Sequence, residues 1–205
     1  MKAHTTPDAL ARGPTDHEVR TQIVEAATEY FTRYGYEKTT VSDLAKAIGF
    51  SKAYVYKFFD SKQAIGGVIC ANRLQLVRLS VNEAVAGASS ASDRLRRAFR
   101  AFVEAGSQLF FDDRKLHDIA AVAAQGRWPS VQNYELYVRE LSVTILKEGR
   151  AAGEFERKTP LDELADAVCL VMKPYISPML LQHNLEQGEQ AALLLSSLLL
   201  RSLAP

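Results

Sequence analysis

The sequence has few of the residues on which metal sites and disulfide frameworks depend. Its 205 residues include two cysteines and four histidines. Cys70 and Cys169 have no partner near them in sequence, and no histidine stands at metal-ligand spacing from a thiol or a carboxylate. The pattern therefore predicts free thiols in the core and no bound metal or cofactor.

Long apolar runs and targeting signals are also missing. The most apolar stretch, LLLSSLLL near the end of the chain, is much shorter than the roughly 20 residues that a bilayer requires. The N-terminus lacks the apolar core of a signal peptide. We therefore expect a cytoplasmic protein that has no membrane partner.

Catalytic motifs are absent as well. The sequence contains no Gly-rich phosphate loop and no nucleophile elbow. His117, with Asp113 and Asp118 close by, is the best acid–base candidate, but a surface or pocket histidine is the simpler interpretation. The sequence thus predicts that the protein is not an enzyme.

Charge is balanced overall and concentrated locally. The net charge is +1, which gives no general attraction for nucleic acid. Between Lys38 and Lys62, however, five lysines stand against only Asp43 and Asp60. A basic patch on a neutral protein is consistent with a small footprint on DNA.

The same segment, residues 39–62, predicts two short helices joined by a tight turn. Thr40 caps the first helix, Gly49 ends it, and Ser51 caps the second. The helical period turns one apolar face inward, formed by Leu44, Ala45, Ile48, Val55, Phe58 and Phe59. Small Ala45 allows a close crossing, so the pattern indicates a helix-turn-helix.

The outward face of the second helix suggests its partner. Ala53 and Lys57 lie opposite the core, flanked by Tyr54 and Tyr56. Lys57 can reach guanine acceptors in a major groove while the phenols donate to phosphates. The alternative is a solvated face whose tyrosines pack on a neighbour. The predicted DNA-contacting residues are Thr40, Ser42, Ser51, Lys52, Ala53, Tyr54, Tyr56, Lys57 and Lys62.

One set of residues repeats the spacing of a known family. These residues are Phe31, Gly35, Tyr36, Thr39, Thr40, Leu44, Ala45, Gly49, Phe50, Ser51, Val55, Tyr56, Phe59 and Lys62. Through them, the segment from about residue 16 to 71 resembles the DNA-binding domain of the TetR family of bacterial transcriptional regulators. The resemblance implies a homodimeric, ligand-responsive repressor that binds double-stranded operator DNA. Its effector would be a small, largely apolar molecule.

The remaining sequence predicts an all-α fold of about nine helices. Residues 1–14 show no periodicity and predict a disordered arm, residues 15–62 a DNA-binding domain, and residues 63–205 a ligand-binding and dimerisation domain. A helix over residues 61–86 links the two domains. Within it, the Gly66-Gly67 pair predicts either a hinge or a close helix packing.

A helix predicted over residues 159–183 contains two prolines four residues apart, Pro174 and Pro178. They deprive the carbonyls of Leu170 and Pro174 of their helical partners, and a kink there either opens space for a ligand or accommodates packing. Aromatic and sulfur side chains recur in the same region. The predicted ligand-binding residues are Phe102, Phe110, His117, Trp128, Tyr134, Met172 and Tyr175.

The last two helices predict a subunit interface. LLLSSLLL is apolar nearly all round its helix, so one face can cover its own core while another meets a second copy. The predicted interface residues are Leu164, Val168, Val171, Leu194, Leu195 and Leu198, in a four-helix arrangement. Two alternatives remain for function, a helix-turn-helix regulator controlled by a protein partner and a helical enzyme.

Overall fold

The computed structural model of the chain describes residues 15–112 and 114–205, without the side chains of His117 and Pro178. The predicted arm, residues 1–14, lies outside the described residues. The part that is described contains ten α-helices and no strand, which confirms the all-α class. None of its helices combines the length and the apolar character that a membrane crossing demands.

The helices follow one another with short connections. They are α1 (Asp16–Tyr34), α2 (Val41–Ile48), α3 (Lys52–Val55), α4 (Lys62–Ala86), α5 (Ala91–Asp112), α6 (Arg114–Gln125), α7 (Pro129–Ala151), α8 (Leu161–Ile176), α9 (Pro178–Leu181) and α10 (Gly188–Ser202). A 3₁₀ turn, Leu185–Gln187, precedes α10.

Local side-chain chemistry fixes the starts of the first two helices. Thr15 and Glu18 form a capping box at α1, each side chain accepting from the other residue's backbone N–H. Thr40 and Asp43 form the same motif at α2. Gly49 ends α2 with a left-handed φ of 78°, which glycine adopts without steric cost. The Thr40 cap and the Gly49 turn place the first helix of the helix-turn-helix where the sequence predicts it.

Helix α4 joins the N-terminal helices to the rest of the chain. It packs against α1 near its start and against α5, α6 and α7 further along. Its buried stripe includes Ile65, Ile69, Leu74, Val77 and Val81, all within one continuous hydrophobic core. The three-helix unit and the larger helical unit are therefore connected through a shared core as well as through the chain.

The helix predicted over residues 159–183 is broken into two. Helix α8 ends at Ile176, and the short α9 starts at Pro178, whose ring supplies no N–H to continue the earlier helix. The carbonyl of Pro174 accepts from Asn184 Nδ2 at 3.2 Å, so the chain itself satisfies this freed acceptor. The break accounts for ten helices where the sequence predicts about nine.

Candidate nucleic-acid interface and ligand cavity

Helix α3 is a short element whose inner side packs on the hydrophobic core. The Ser51 hydroxyl accepts from the Tyr54 N–H at 3.1 Å and starts the helix. Four residues of α-helix follow, and tighter turns continue the winding to Phe59. Val55 and Phe59 are buried in the core, whereas Phe58, also predicted to face inward, is only half-buried.

Helix α1 braces the far end of this element. The Arg20 guanidinium donates to the carbonyl of Phe58 and lies 4.4 Å from the ring centroid of Phe59. The sequence analysis missed this role, because an exposed arginine on a helix gives no local signal of a distant acceptor. The contact fixes the turn that follows α3, so the outward side chains of residues 51–57 have a defined position.

The outward face carries the residues that the sequence predicts there. Ser51, Lys52, Ala53 and Lys57 are exposed, and 41% of Tyr56 is exposed. Lys52 Nζ lies 5.8 Å from the ring centroid of Tyr56. The surface of α3 therefore presents a small residue between two lysines and a free phenol, which suits a groove with phosphate walls.

Tyr54 packs on neighbouring rings and also contacts a lysine of the outward face. Its half-buried ring stands edge-on between Phe50, with centroids 5.0 Å apart, and Phe58, at 5.3 Å. Lys57 Nζ lies 5.5 Å from the Tyr54 ring centroid. The ring thus belongs to the packing of the helix-turn-helix, as the alternative proposes, while it also supports the lysine that faces outward.

Three further residues of the predicted interface lie at its edge. Thr40 is exposed, but its hydroxyl bonds Asp43 at 2.7 Å, and Ser42 is half-buried. Lys62 is half-buried and its ammonium donates to the carbonyls of Tyr36 at 3.0 Å and Glu37 at 3.4 Å. The cation of Lys62 therefore ties the loop after α1 to the start of α4, and its contact with DNA stays a prediction.

A second contact joins the two parts of the chain at the same place. Trp128, in the turn before α7, is 5% exposed and lies edge-on to Tyr36, with ring centroids 5.8 Å apart. Both rings pack on Gly66. Burial raises the pKa of the Tyr36 phenol to about 12. We call Tyr36, Gly66 and Trp128 the junction.

The junction bears on two predictions. Trp128 packs between the N-terminal unit and the larger unit, and its role in ligand binding stays a prediction. Gly66 is a close-packing glycine, because a Cβ there would lie 2.8 Å from Tyr36 Cε2, whereas Gly67 faces open space. The glycine pair therefore serves packing at one position.

An inner cavity lies among α4, α5, α6, α7, α9 and the end of α8. Its volume is about 40 Å³, close to the space of a single water. The lining is apolar except for Arg73 and Tyr134, and it includes Leu74, Val77, Leu109 and Ile176. Leu181 of α9 closes one side, against Gly106 of α5. In this conformation the cavity has room for about one water molecule.

Of the predicted ligand-binding residues whose side chains are described, only Tyr134 lines this cavity. Phe102 and Met172 are each 1% exposed and belong to the core. Tyr175 is half-buried, with its ring centroid 6.4 Å from that of Phe99, and Phe110 is half-buried beside Phe111. The side chain of His117 lies outside the described residues.

The predicted subunit interface changes in composition. Val168 is fully buried in its own chain, which excludes it from an interface, and Leu164, Val171 and Leu195 are half-buried. Leu194 and Leu198 are 56% and 52% exposed. Two exposed leucines that the sequence analysis did not select, Leu170 and Leu193, join them on α8 and α10.

Comparisons with known proteins agree with this architecture. Residues 23–65 match the family model described as "Bacterial regulatory proteins, tetR family". Residues 91–193 match the model "Tetracyclin repressor-like, C-terminal domain", which covers half of the chain.

Relatives extend the match over nearly the whole length. The HTH-type transcriptional repressor DhaR of Mycobacterium sp. (strain GP1) is 26% identical over 184 residues, 88% of this chain and 90% of that protein. Among solved structures, the TetR family regulator PfmR from Thermus thermophilus is 25% identical with a TM-score of 0.59, covering 94% of this chain and 99% of that one. A transcriptional regulator from Cytophaga hutchinsonii, 18% identical, shares the fold with a TM-score of 0.65 over 90% and 98%.

Proposed function

Because the chain belongs to the tetR family of bacterial regulatory proteins, we propose that it is a transcriptional repressor that a small, largely apolar molecule releases from its operator. DNA binding and transcription regulation are the activity of the family. The similarity to a transcriptional repressor over 88% of the chain supports the sign of regulation. Such a protein works where its operator lies, in the cytoplasm.

The observation that carries the proposal is the exposed face of a rigidly mounted α3. Val55 and Phe59 anchor it in the core, and Arg20 holds its far end. Lys57 then projects from a fixed base and can donate to guanine O6 and N7. Tyr56 and Lys52, side by side and exposed, supply donors to the phosphates on a groove wall.

The two parts of the chain take different tasks in this proposal. Residues 15–62 read the operator, residues 63–205 bind the effector and the second subunit, and α4 links them. Leu194 and Leu198 form the centre of a two-fold interface, because exposed leucines on adjacent turns offer a self-complementary apolar strip. A dimer then presents two α3 helices to two half-sites.

Release requires that the effector prefer the conformation that does not fit the operator. A nearly complete switch needs about 5.5 kcal/mol of differential binding. The structural route runs from the cavity to the reading helix through two contacts. One is the junction, and the other is Lys115 of α6, whose ammonium donates to the carbonyl of Arg33 in α1 at 2.5 Å. Displacing α6 or α7 therefore displaces α1.

The test is selection of genomic fragments by the protein, followed by binding measurements with variants. Lys57→Ala should weaken operator binding by about 1–3 kcal/mol and relax the preference at one base pair in each half-site. Lys147→Ala, which removes an exposed lysine from α7, is the control and should leave both quantities unchanged. Unchanged selectivity of Lys57→Ala would exclude α3 as the reading helix.

A further inference from the structure

A second, larger space lies outside the inner cavity, between α7 and α8. This outer groove has a volume of about 410 Å³, ten times that of the inner cavity. It is open on one side and has room for a small organic molecule. Tyr134 and Ile176 line both spaces. The two spaces are therefore neighbours, separated where these two residues meet.

The contact between Tyr134 and Ile176 is weak for a buried polar group. Tyr134 is 4% exposed, and its hydroxyl donates to the Ile176 carbonyl at 3.4 Å. Hydroxyl donors normally stand about 2.5–3.0 Å from their acceptors, so a better placed acceptor would gain free energy. Ile176 is the last residue of α8, where carbonyls lack helical partners. The hydroxyl therefore has an acceptor that it can exchange for a stronger one.

The outer groove selects against net charge. Val131, Val138 and Leu170 contribute apolar surface. Its charged residues are two of each sign, Glu135, Arg139, Asp166 and Lys173. Arg139 is already neutralised, since it donates to Asp166 at 2.8 Å and to Asp162 at 3.0 Å. A neutral molecule therefore loses less solvation free energy in this groove than an ion does. The groove charges that could pair with an ion are either in ion pairs already or exposed to solvent.

We propose that the outer groove is the outer half of the effector site and that Tyr134 is the gate to its inner half. The ligand is an elongated, neutral, largely apolar molecule with a carbonyl or ether oxygen. Its oxygen accepts from Tyr134 when the ring leaves the Ile176 carbonyl, and a short apolar end then enters the inner cavity. This assignment rests on the proposed function and specifies the ligand class of its effector site.

The proposed interface leaves the groove accessible. At about 100° per residue, Asp166 and Lys173 lie on one flank of α8, and Leu164 and Val171 on the opposite flank. The ion pairs of Arg139 hold α7 to the first of these flanks. Helix α10 instead packs on α5 and α8. A second copy that meets α10 therefore approaches from the flank opposite Asp166 and Lys173, and it reaches the groove only at its edge, at Leu170.

Cys169 provides the measurement, because it lines the outer groove and is half-buried. In a Cys70→Ala background, its modification by methyl methanethiosulfonate reports access to the groove. Burial raises the pKa of the Cys169 thiol, so the reaction is followed above neutral pH. The probes are 2-hexanone, 2-decanone, decanoate and decylammonium. We expect 2-decanone to slow the modification at least fivefold, 2-hexanone less, and the two ions not at all at equal concentration.

Tyr134→Phe separates the gate from the groove. It keeps the ring and removes the donor, so it should raise the 2-decanone concentration for half protection about fivefold. Modification that no ketone slows, or equal protection of Tyr134→Phe and the parent, overturns the proposal. A rate that depends on protein concentration and not on ketones assigns the groove to a second copy and also overturns it.

Operator binding is measured in parallel without the thiol reagent. Protection by 2-decanone together with weaker operator binding is the expected pair of results. Protection without any effect on the operator complex confirms the ligand site and contradicts the proposed release mechanism. If the ligand-free protein binds no operator, the proposed function is contradicted, whatever the cysteine labelling shows. The two failures can therefore be distinguished.

Discussion

Adding one methyl group at the junction tests how tightly the two parts of the chain are joined. In Gly66→Ala, the new Cβ would stand 2.8 Å from Tyr36 Cε2 and 3.2 Å from Trp128 Cζ3. Neither ring can swing away freely, because they are 6% and 5% exposed. The methyl group must therefore displace at least one ring or the backbone of α4.

The magnitude follows from two opposing effects. Overpacking a well-filled site costs about 1–3 kcal/mol. Replacing glycine by alanine within a helix returns up to about 1 kcal/mol. Gly67→Ala receives only the second effect, since nothing lies within 4 Å of its Cβ. Subtracting the two variants cancels the helix propensity, so Gly66→Ala should be the less stable by about 1–3 kcal/mol.

Urea unfolding at one fixed protein concentration measures this difference, because a dimer's stability depends on concentration. Trp128 is the single tryptophan and lies in the junction, so its emission reports the perturbed contact while circular dichroism reports the whole fold. We also expect weaker operator binding for Gly66→Ala alone, since Tyr36 follows α1. Equal stability of the two alanine variants would refute the close-packing argument.

Three other substitutions test separate contacts. Lys62→Ala should cost about 1–3 kcal/mol of stability, because it removes the charged donor that the Tyr36 and Glu37 carbonyls share, and should not change the slope of log K against log salt. A slope lower by about one would instead restore Lys62 as a phosphate contact. Leu198→Glu should abolish the dimer in sedimentation, whereas Leu79→Glu, at an equally exposed leucine of α4, should not. The Glu154 carboxylate accepts from the N–H groups of Ala91 and Ser92, which lowers its pKa. Its stabilisation is complete above the ordinary value of 4.5 and is lost as the pH falls through the lowered pKa, so Glu154→Gln should flatten the acid side of a stability profile.

The sequence predicts the parts of the fold that local chemistry determines. Thr40, Gly49 and Ser51 place the helix-turn-helix because caps and left-handed glycines act within a few residues. The outward position of Lys57 follows from helical period alone. For the same reason, the sequence analysis finds the long helices and their approximate ends.

The sequence cannot distinguish ligand-lining residues from core residues, because that depends on packing between distant segments. Trp128 and Met172 have the composition of a pocket lining, but one packs on Tyr36 and the other is in the core. An aromatic or sulfur side chain serves either role, and only the position of other helices distinguishes them. Val168 fails for a related reason, because a stripe on a helix does not say whether its own chain or a partner covers it.

The small inner cavity has a consequence for how an effector acts. At about 40 Å³ it cannot hold a drug-sized molecule without moving its walls, and one wall is α4, through Leu74 and Val77. On the same rigid helix, Gly66 lies about 16 Å from Val77 and carries the junction. In the proposed mechanism, a ligand that pushes Leu74 and Val77 aside tilts α4 at Gly66, where Tyr36 and Lys62 hold the loop that follows α1. The ligand makes its contacts only in the conformation with the opened cavity and the displaced α4. It therefore binds this conformation more tightly than the closed one, and release from an operator requires such a difference in affinity.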